Sequence, residues 1–349
     1  MLKDFLDFND LGLDGWERIS GLAEDIYNNP DKYAGRCRDK ILATLFYEPS
    51  TRTRFSTQSA MYRLGGASIG FSGTSGSSVT KGESLKDTIK MVESYADIIV
   101  IRHPRDGAAF AASLYSGVPV VNAGDGNHLH PTQTLLDLFT IGRRHKKFTG
   151  MNIGVCGDLL NGRTAHSLLR ALSRYSGNNF YLISDPRFGM PEKYLAGLRD
   201  NNKISICGKI TDCIGELDII YMTRLQRERI DGKLARLPDE LILNKAKMAG
   251  AKADLMVLHP LPRNEELSTD VDDDPRVLYF KQAAFGLYIR MALLLLLLER
   301  EGECPRPAAA AAGKRCANKN CILNDADDTS GLPLLANADG ACAYCEHDL

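Results

Sequence analysis

The segment Phe46-Tyr47-Glu48-Pro49-Ser50-Thr51-Arg52-Thr53-Arg54-Phe55 packs three aliphatic hydroxyls and two guanidinium groups into the consecutive positions 50–54. An apolar, β-prone run (41–47) leads into it, and a helix is predicted over 51–64, stopped by Gly65-Gly66. Pro49 closes the strand, because the residue before a proline is pushed out of the α region. Ser50 is a good N-cap type. A strand, a short turn and a helix N-terminus together favour an anion, since free backbone N–H groups and the helix dipole point at it. Arginine forks match phosphate oxygens in pairs. A capped helix with a solvated basic turn has the same local pattern, so the rest of the chain must decide.

Further chemistry sits at the ends of other apolar runs. The run 97–102 leads into Arg102-His103, and 118–122 leads into Asn122-Ala123-Gly124-Asp125-Gly126, then His128 and His130-Pro131-Thr132-Gln133. Between them a Gly/Ser-rich loop (72–83) carries Ser77 and Lys81, and reads either as a lid over an anion or as a flexible linker. Three later runs end in Gly157-Asp158 followed by Arg163, in Thr223-Arg224-Leu225-Gln226, and in His259-Pro260-Leu261-Pro262-Arg263. Arg163 and Arg224 suit a ligand with two carboxylates, or else a salt-bridged rim. Residues 224–237 read as a charged loop able to move. The stretch around Gly154 and Gly157 lacks the G-x-G-x-x-G spacing and ribose acid of a dinucleotide site.

The elements that carry these residues alternate. Strands are expected at 41–47, 67–71, 97–102 and 118–122, then at 151–156, 180–184, 204–207, 217–222 and 255–259, with helices at 84–95, 132–142 and 285–299 among those between and after them. This is an α/β chain with two doubly wound parallel-sheet domains, in which ligands bind beyond the carboxyl ends of the strands. The 349 residues suit two domains plus something small. The expected parts are 1–142, 150–284, a helix over 285–301 that packs back on the first domain, a linker over 302–313 with Pro305, Pro307 and five alanines, and a tail over 314–349. Residues 1–35 read as an amphipathic helix broken near Asn28-Asn29-Pro30. A net charge of -1 gives no reason to expect nucleic acid. The six leucines of 293–298 are too few to span a bilayer. The N-terminus does not read as an export signal, so no membrane is expected and the cytosol is the compartment. Four of nine cysteines form two pairs, Cys316 with Cys321 and Cys342 with Cys345. Outside an oxidising compartment these pairs suggest one tetrahedral, structural Zn²⁺ more than two disulfides, with His347 a possible substitute ligand. The tail is too short for its own core and should be disordered without metal.

These motifs, in order, resemble the catalytic chain of the aspartate carbamoyltransferase family over residues 1 to about 300. The matching segments are Ser50-Thr51-Arg52-Thr53-Arg54, Lys81-Gly82-Glu83-Ser84, Arg102-His103-Pro104, His130-Pro131-Thr132-Gln133-Thr134, Gly157-Asp158 with Gly162-Arg163-Thr164, Met222-Thr223-Arg224-Leu225-Gln226, and His259-Pro260-Leu261-Pro262-Arg263. The ornithine branch shares the first and fourth of these segments but normally has a cysteine in the late strand-end motif, where this chain has Pro260-Leu261-Pro262. The resemblance therefore implies transfer of a carbamoyl group from carbamoyl phosphate to L-aspartate in pyrimidine synthesis. A carbamoyltransferase for another amine such as ornithine and a non-catalytic assembly subunit are the alternatives, and the intact Arg52, Arg102, His130 and Arg163 argue against the latter.

The resemblance further implies a carbamoyl phosphate domain first, an aspartate domain second and the active site between them. It implies a homotrimer with shared active sites, in which the Ser77 and Lys81 loop reaches a neighbour's site. Ser50, Thr51, Arg52 and Thr53, with Ser77, Lys81 and Arg102, would hold the phosphate. Thr53, Arg102 and His130 would polarise the carbamoyl carbonyl, and Gln133 would bind the carbamoyl nitrogen. Lys81, Arg163, Arg224 and Gln226 would grip aspartate, with the Pro260 and Leu261 carbonyls near its amine. No metal or cofactor is implied for the chemistry. The tail resembles the zinc-binding end of the same enzyme's regulatory chain, which implies docking on a neighbouring catalytic subunit and higher assembly. No nucleotide-binding domain like that chain's is legible before the cysteines, so nucleotide feedback through this polypeptide is not expected.

Overall fold

The computed structural model describes residues 3–75, 77–227, 237–299, 309–326 and 331–349. The chain divides into two compact units, Met1–Thr132 with Gly286–Leu349, and Gln133–Phe285.

In the first unit α1 (Gly12–Asn28) buries Trp16, Ile19, Ala23 and Ile26, a helical spacing. The sheet then alternates with helices: β1 (Ile41–Phe46), α2 (Thr51–Arg63), β2 (Ala67–Ser72), α3 (Leu85–Val92), β3 (Ile98–His103), α4 (Ala108–Tyr115) and β4 (Val120–Asp125). All pairings are parallel, in the order β2-β1-β3-β4. β1 and β3 are buried along nearly their whole length, which is why they read as continuous apolar runs, whereas edge strand β2 is largely exposed. α3 is shorter than predicted. Ser84 caps its start by accepting from Asp87 N–H at 3.1 Å, and at its end the C-cap Glu93 turns its carboxylate to Gly117 N–H. α5 (Pro131–His145) is longer than predicted, because Arg143, Arg144 and His145 in its last turn complement the helix dipole.

The second unit repeats the plan with β5 (Asn152–Cys156), α6 (Arg163–Leu172), β6 (Asn179–Ile183), α7 (Ala196–Arg199), β7 (Lys203–Cys207), β8 (Ile219–Met222), α8 (Lys245–Met248) and β9 (Met256–Leu258). Its sheet is parallel throughout, in the order β7-β6-β5-β8-β9. Residues 228–236 of the charged loop lie outside the described residues. α9 (Tyr279–Leu298) starts earlier than the 285 predicted from its apolar run. Lys281 and Gln282 look like solvent-facing residues in the sequence, yet Gln282 is fully buried. By length and composition this helix could cross a membrane, but Ile289, Met291, Ala292, Leu293, Leu294, Leu295 and Leu297 are all buried, as in a core helix. The division between the units falls inside α5 and inside α9.

Residues 300–308 lie outside the described part of the linker, and two of its alanines form β10 (Ala310–Ala311), antiparallel to β11 (Leu335–Ala336). The tail packs on its own chain. Cys316, Cys321, Ile322, Leu323, Cys342, Tyr344 and Cys345 share one core with Ala108, Ala109, Ala111 and Ala112 of α4. The resemblance suggested a neighbouring subunit as the dock. The alanines of α4 leave room for the tail here, and Gly107 (φ +80) has no space for a β-carbon, which would lie 2.4 Å from the Tyr344 carbonyl oxygen.

Candidate active site and metal centre

In the first unit the register pairs Phe46 of β1 with Arg102 of β3, and Tyr47 N–H donates to the Arg102 carbonyl at 2.9 Å. Arg102 thereby stands beside the turn that starts α2. Ser50 occupies the N-cap with extended backbone, but its side chain makes no capping bond, contrary to what its type suggests. Thr51 and Arg52 are exposed, and Thr53 is buried. Arg102 Nε lies 3.2 Å from a carboxylate oxygen of Glu48, an acid that no sequence signal marked out. An anion bound at this turn would share Arg102 with Glu48.

His130 follows β4 and is buried; its Nδ1 lies 3.4 Å from the Thr132 hydroxyl. With that hydroxyl as donor, Nε2 carries the proton and can donate to a carbonyl oxygen. The loop before it is organised by Asp125, which accepts from Gly107 N–H at 2.7 Å, Asn122 Nδ2 at 2.9 Å and Leu129 N–H at 3.2 Å, and meets His128 Nδ1 at 3.1 Å. Ser50–Thr53, Arg102 and His130 thus stand at the carboxyl ends of β1, β3 and β4, which are neighbours in the sheet. Ser77 and Lys81 are not brought to them by any hydrogen bond or ion pair among the described residues. Ser77 Oγ instead donates to the Thr74 carbonyl at 2.7 Å, and Lys81 is exposed.

In the second unit Arg163 is the first residue of α6 and is buried. The fully buried Asp158 accepts from Asn161 N–H at 2.9 Å and Gln226 N–H at 3.2 Å, tying the loop after β5 to the loop after β8. The Gln226 side-chain amide donates to the Asn161 carbonyl, and half-buried Arg224 belongs to the same β8 loop. At the third strand end Leu261 N–H donates to His259 Nδ1 at 2.7 Å, while His259 Nε2 meets Glu266 at 2.9 Å. Burial pushes the Glu266 carboxyl up, but the His259 bond and the Asn264 N–H hold it below the usual range. The Leu261-Pro262 peptide is cis. Gln133, in the first turn of α5, donates through Nε2 to Asp137 at 2.8 Å. Asp158 belongs to a strand-end motif legible in the sequence, whereas Asp137 and Glu266 lie outside those motifs; for Asp137 the spacing of four residues after Gln133 on a helix is the signal that could have found it.

The four tail sulfurs lie within 4.8 Å of one another and all four cysteines are buried. Cys316 and Cys345 Sγ are 3.4 Å apart, and Cys321 and Cys342 Sγ are 3.9 Å apart. Tetrahedral zinc thiolates would sit about 3.8 Å apart and disulfide sulfurs about 2.05 Å, so the set fits a metal. Crowding drives the thiols apart in acidity: Cys342 falls because Cys321 and Cys345 hydrogen-bond to it, and Cys321 rises through the same bond.

Two family models match in succession. The carbamoyl-P binding domain of aspartate/ornithine carbamoyltransferase matches residues 3–143, and the Asp/Orn binding domain matches residues 149–297. The chain belongs to the aspartate/ornithine carbamoyltransferase family. The aspartate carbamoyltransferase catalytic subunit of Clostridium novyi is 54% identical over 299 residues, covering 85% of this chain and 98% of that one. The catalytic subunit of M. Jannaschii aspartate transcarbamoylase superposes with a TM-score of 0.79 at 41% identity, covering 85% of this chain and 98% of that one. Aspartate transcarbamoylase from Trypanosoma cruzi, in complex with carbamoyl phosphate and aspartate, gives 0.77 at 35% identity, covering 84% and 95%. The carbamoyltransferase match ends before the cysteine tail.

Proposed function

We propose that this protein transfers the carbamoyl group of carbamoyl phosphate to the amine of L-aspartate. The observation that carries the reading is the meeting of Ser50–Thr53, Arg102 and His130 at three neighbouring strand ends, in a chain whose relatives are aspartate carbamoyltransferases. The aspartate nitrogen attacks the carbamoyl carbon, a C–N bond forms, the C–O bond to phosphate breaks, and the amine loses a proton. Negative charge grows on the carbonyl oxygen and on the departing phosphate. Thr53, Arg102 and His130 serve the first; Ser50, Thr51, Arg52 and Arg102 serve the second. Preorganised donors of this kind are commonly worth about 3 kcal/mol each. Arg163, Arg224 and Gln226 take the aspartate carboxylates, with the Pro260 and Leu261 carbonyls near its amine. Two anions that repel in water are brought together by fixed cations. Side chains and backbone groups of the chain suffice for this chemistry.

Residues 1–142 form the carbamoyl phosphate half and 150–284 the aspartate half. Ser77 and Lys81 serve the site of a neighbouring subunit in a cytosolic homotrimer. Exposed Phe55 and Tyr62 on α2 support an interface on this unit. The tail cysteines hold one zinc ion, which supplies structure by joining two short turns. Carbamoyl-transfer assays with aspartate and with ornithine, run side by side, test the reading. Turnover with ornithine alone, or with neither amine, overturns it.

A further inference from the structure

A single buried carboxylate gathers side chains from three elements of the second unit, α5, β8 and α9. Asp137 Oδ1 accepts from Gln133 Nε2 at 2.8 Å and from Gln282 Nε2 at 2.6 Å, and Oδ2 accepts from the Tyr221 hydroxyl at 2.9 Å. Asp137, Tyr221 and Gln282 have no solvent exposure. The Gln282 side-chain oxygen Oε1 accepts from the His259 backbone N–H at 3.0 Å, and His259 Nδ1 in turn accepts from Leu261 N–H. Tyr221 precedes the Arg224 loop on β8 and also hydrogen-bonds Thr164, the neighbour of Arg163. Burial and the Asp137 charge both raise the Tyr221 phenol, keeping it a donor.

We infer that Asp137 is a positioning residue for carbamoyl transfer: it holds the nitrogen end of the Gln133 amide and so presents the oxygen end to the carbamoyl –NH2. This rests on the proposed role of Gln133. A carbamoyl nitrogen offers only N–H groups and needs an acceptor. An amide free to rotate could offer its own –NH2 instead, placing donor against donor. An acceptor-only partner on the next helical turn removes that choice. Tyr221 and Gln282 are held by other segments too, through Thr164 and His259, whereas the partners of Gln133 are Asp137 and Tyr221, both within this cluster. Loss of acceptor capacity at Asp137 should therefore be felt first as rotation of Gln133.

Wild-type turnover with carbamoyl phosphate and aspartate is measured first; its absence would fail the function reading and not this one. In active enzyme Asp137→Asn should raise the KM for carbamoyl phosphate roughly ten- to hundredfold, the range for disturbing one buried hydrogen-bond set. Gln133→Ala should do likewise, and adding Asp137→Asn to Gln133→Ala should cost little more. If the two losses multiply in the double variant, Asp137 does not act through Gln133 and the inference falls. Should Asp137→Asn not fold, Gln133→Glu decides. Facing Asp137 and Tyr221, the new carboxyl can donate to Asp137 and keep its carbonyl toward substrate only when protonated. Its carbamoyl phosphate KM should recover as pH falls, relative to wild type; a ratio that does not change with pH overturns the assignment.

Discussion

His128 Nε2 lies 3.3 Å from a carboxylate oxygen of Glu346, so the loop that leads to His130 is tied to the residue following the last tail cysteine. The same imidazole meets Asp125 through Nδ1 at 3.1 Å. Burial alone would lower its basicity, but the two carboxylates more than offset that and push it up to about 10. A histidine raised above its free value stabilises the fold fully below about pH 6.5, and that contribution is lost as pH rises through about 10. Thermal unfolding of wild type should therefore lose Tm between pH 7 and pH 10 by more than Glu346→Gln does. Identical pH slopes would show that the contact contributes nothing.

Metal removal tests the tail as a staple. It grips the loop after β3 through Asp106, which accepts from Asn318 Nδ2 at 2.9 Å and Asn320 Nδ2 at 2.7 Å, and through Arg105, bidentate to Asp325 at 3.0 and 3.1 Å. Purified protein should hold about one zinc per chain. Cys342→Ser should lose the metal, lower Tm and raise the KM for carbamoyl phosphate, because the released loops follow Arg102 and precede His130. Metal analysis that finds no zinc, or a variant with unchanged Tm, would remove the staple.

Arg52→Ala should leave folding intact, since the residue is exposed, and reduce kcat by the equivalent of roughly 2–4 kcal/mol, the scale for losing a charged transition-state donor. A near-normal kcat with unchanged Tm would place the phosphate elsewhere.

Arg224→Ala should raise the aspartate KM roughly tenfold or more while changing carbamoyl phosphate binding little, because the residue follows β8 in the proposed aspartate half, 150–284. Comparable losses for both substrates would contradict the division of labour between the two proposed halves.

The alternation of strands and helices, the strand-end clusters of hydroxyls and arginines, and the paired cysteines are all written in short stretches. Such stretches are legible because a strand or helix declares itself over a few residues, through periodicity, caps and proline or glycine stops. That is why β1, α2 and β3 lie within a few residues of their predicted places, and why Ser50, Arg52, Arg102, His130 and Arg163 could be singled out. What the tertiary structure decided is which distant groups share a proton. Glu48 beside Arg102, and Tyr221 and Gln282 on Asp137 from 84 and 145 residues away, follow from the requirement that buried polar groups find partners. No local pattern records such a partner. The docking of the tail on its own chain was likewise decided in three dimensions. It depends on α4 offering alanines, on Gly107 giving up a side chain to Tyr344, and on Glu346 meeting His128 across 218 residues of sequence.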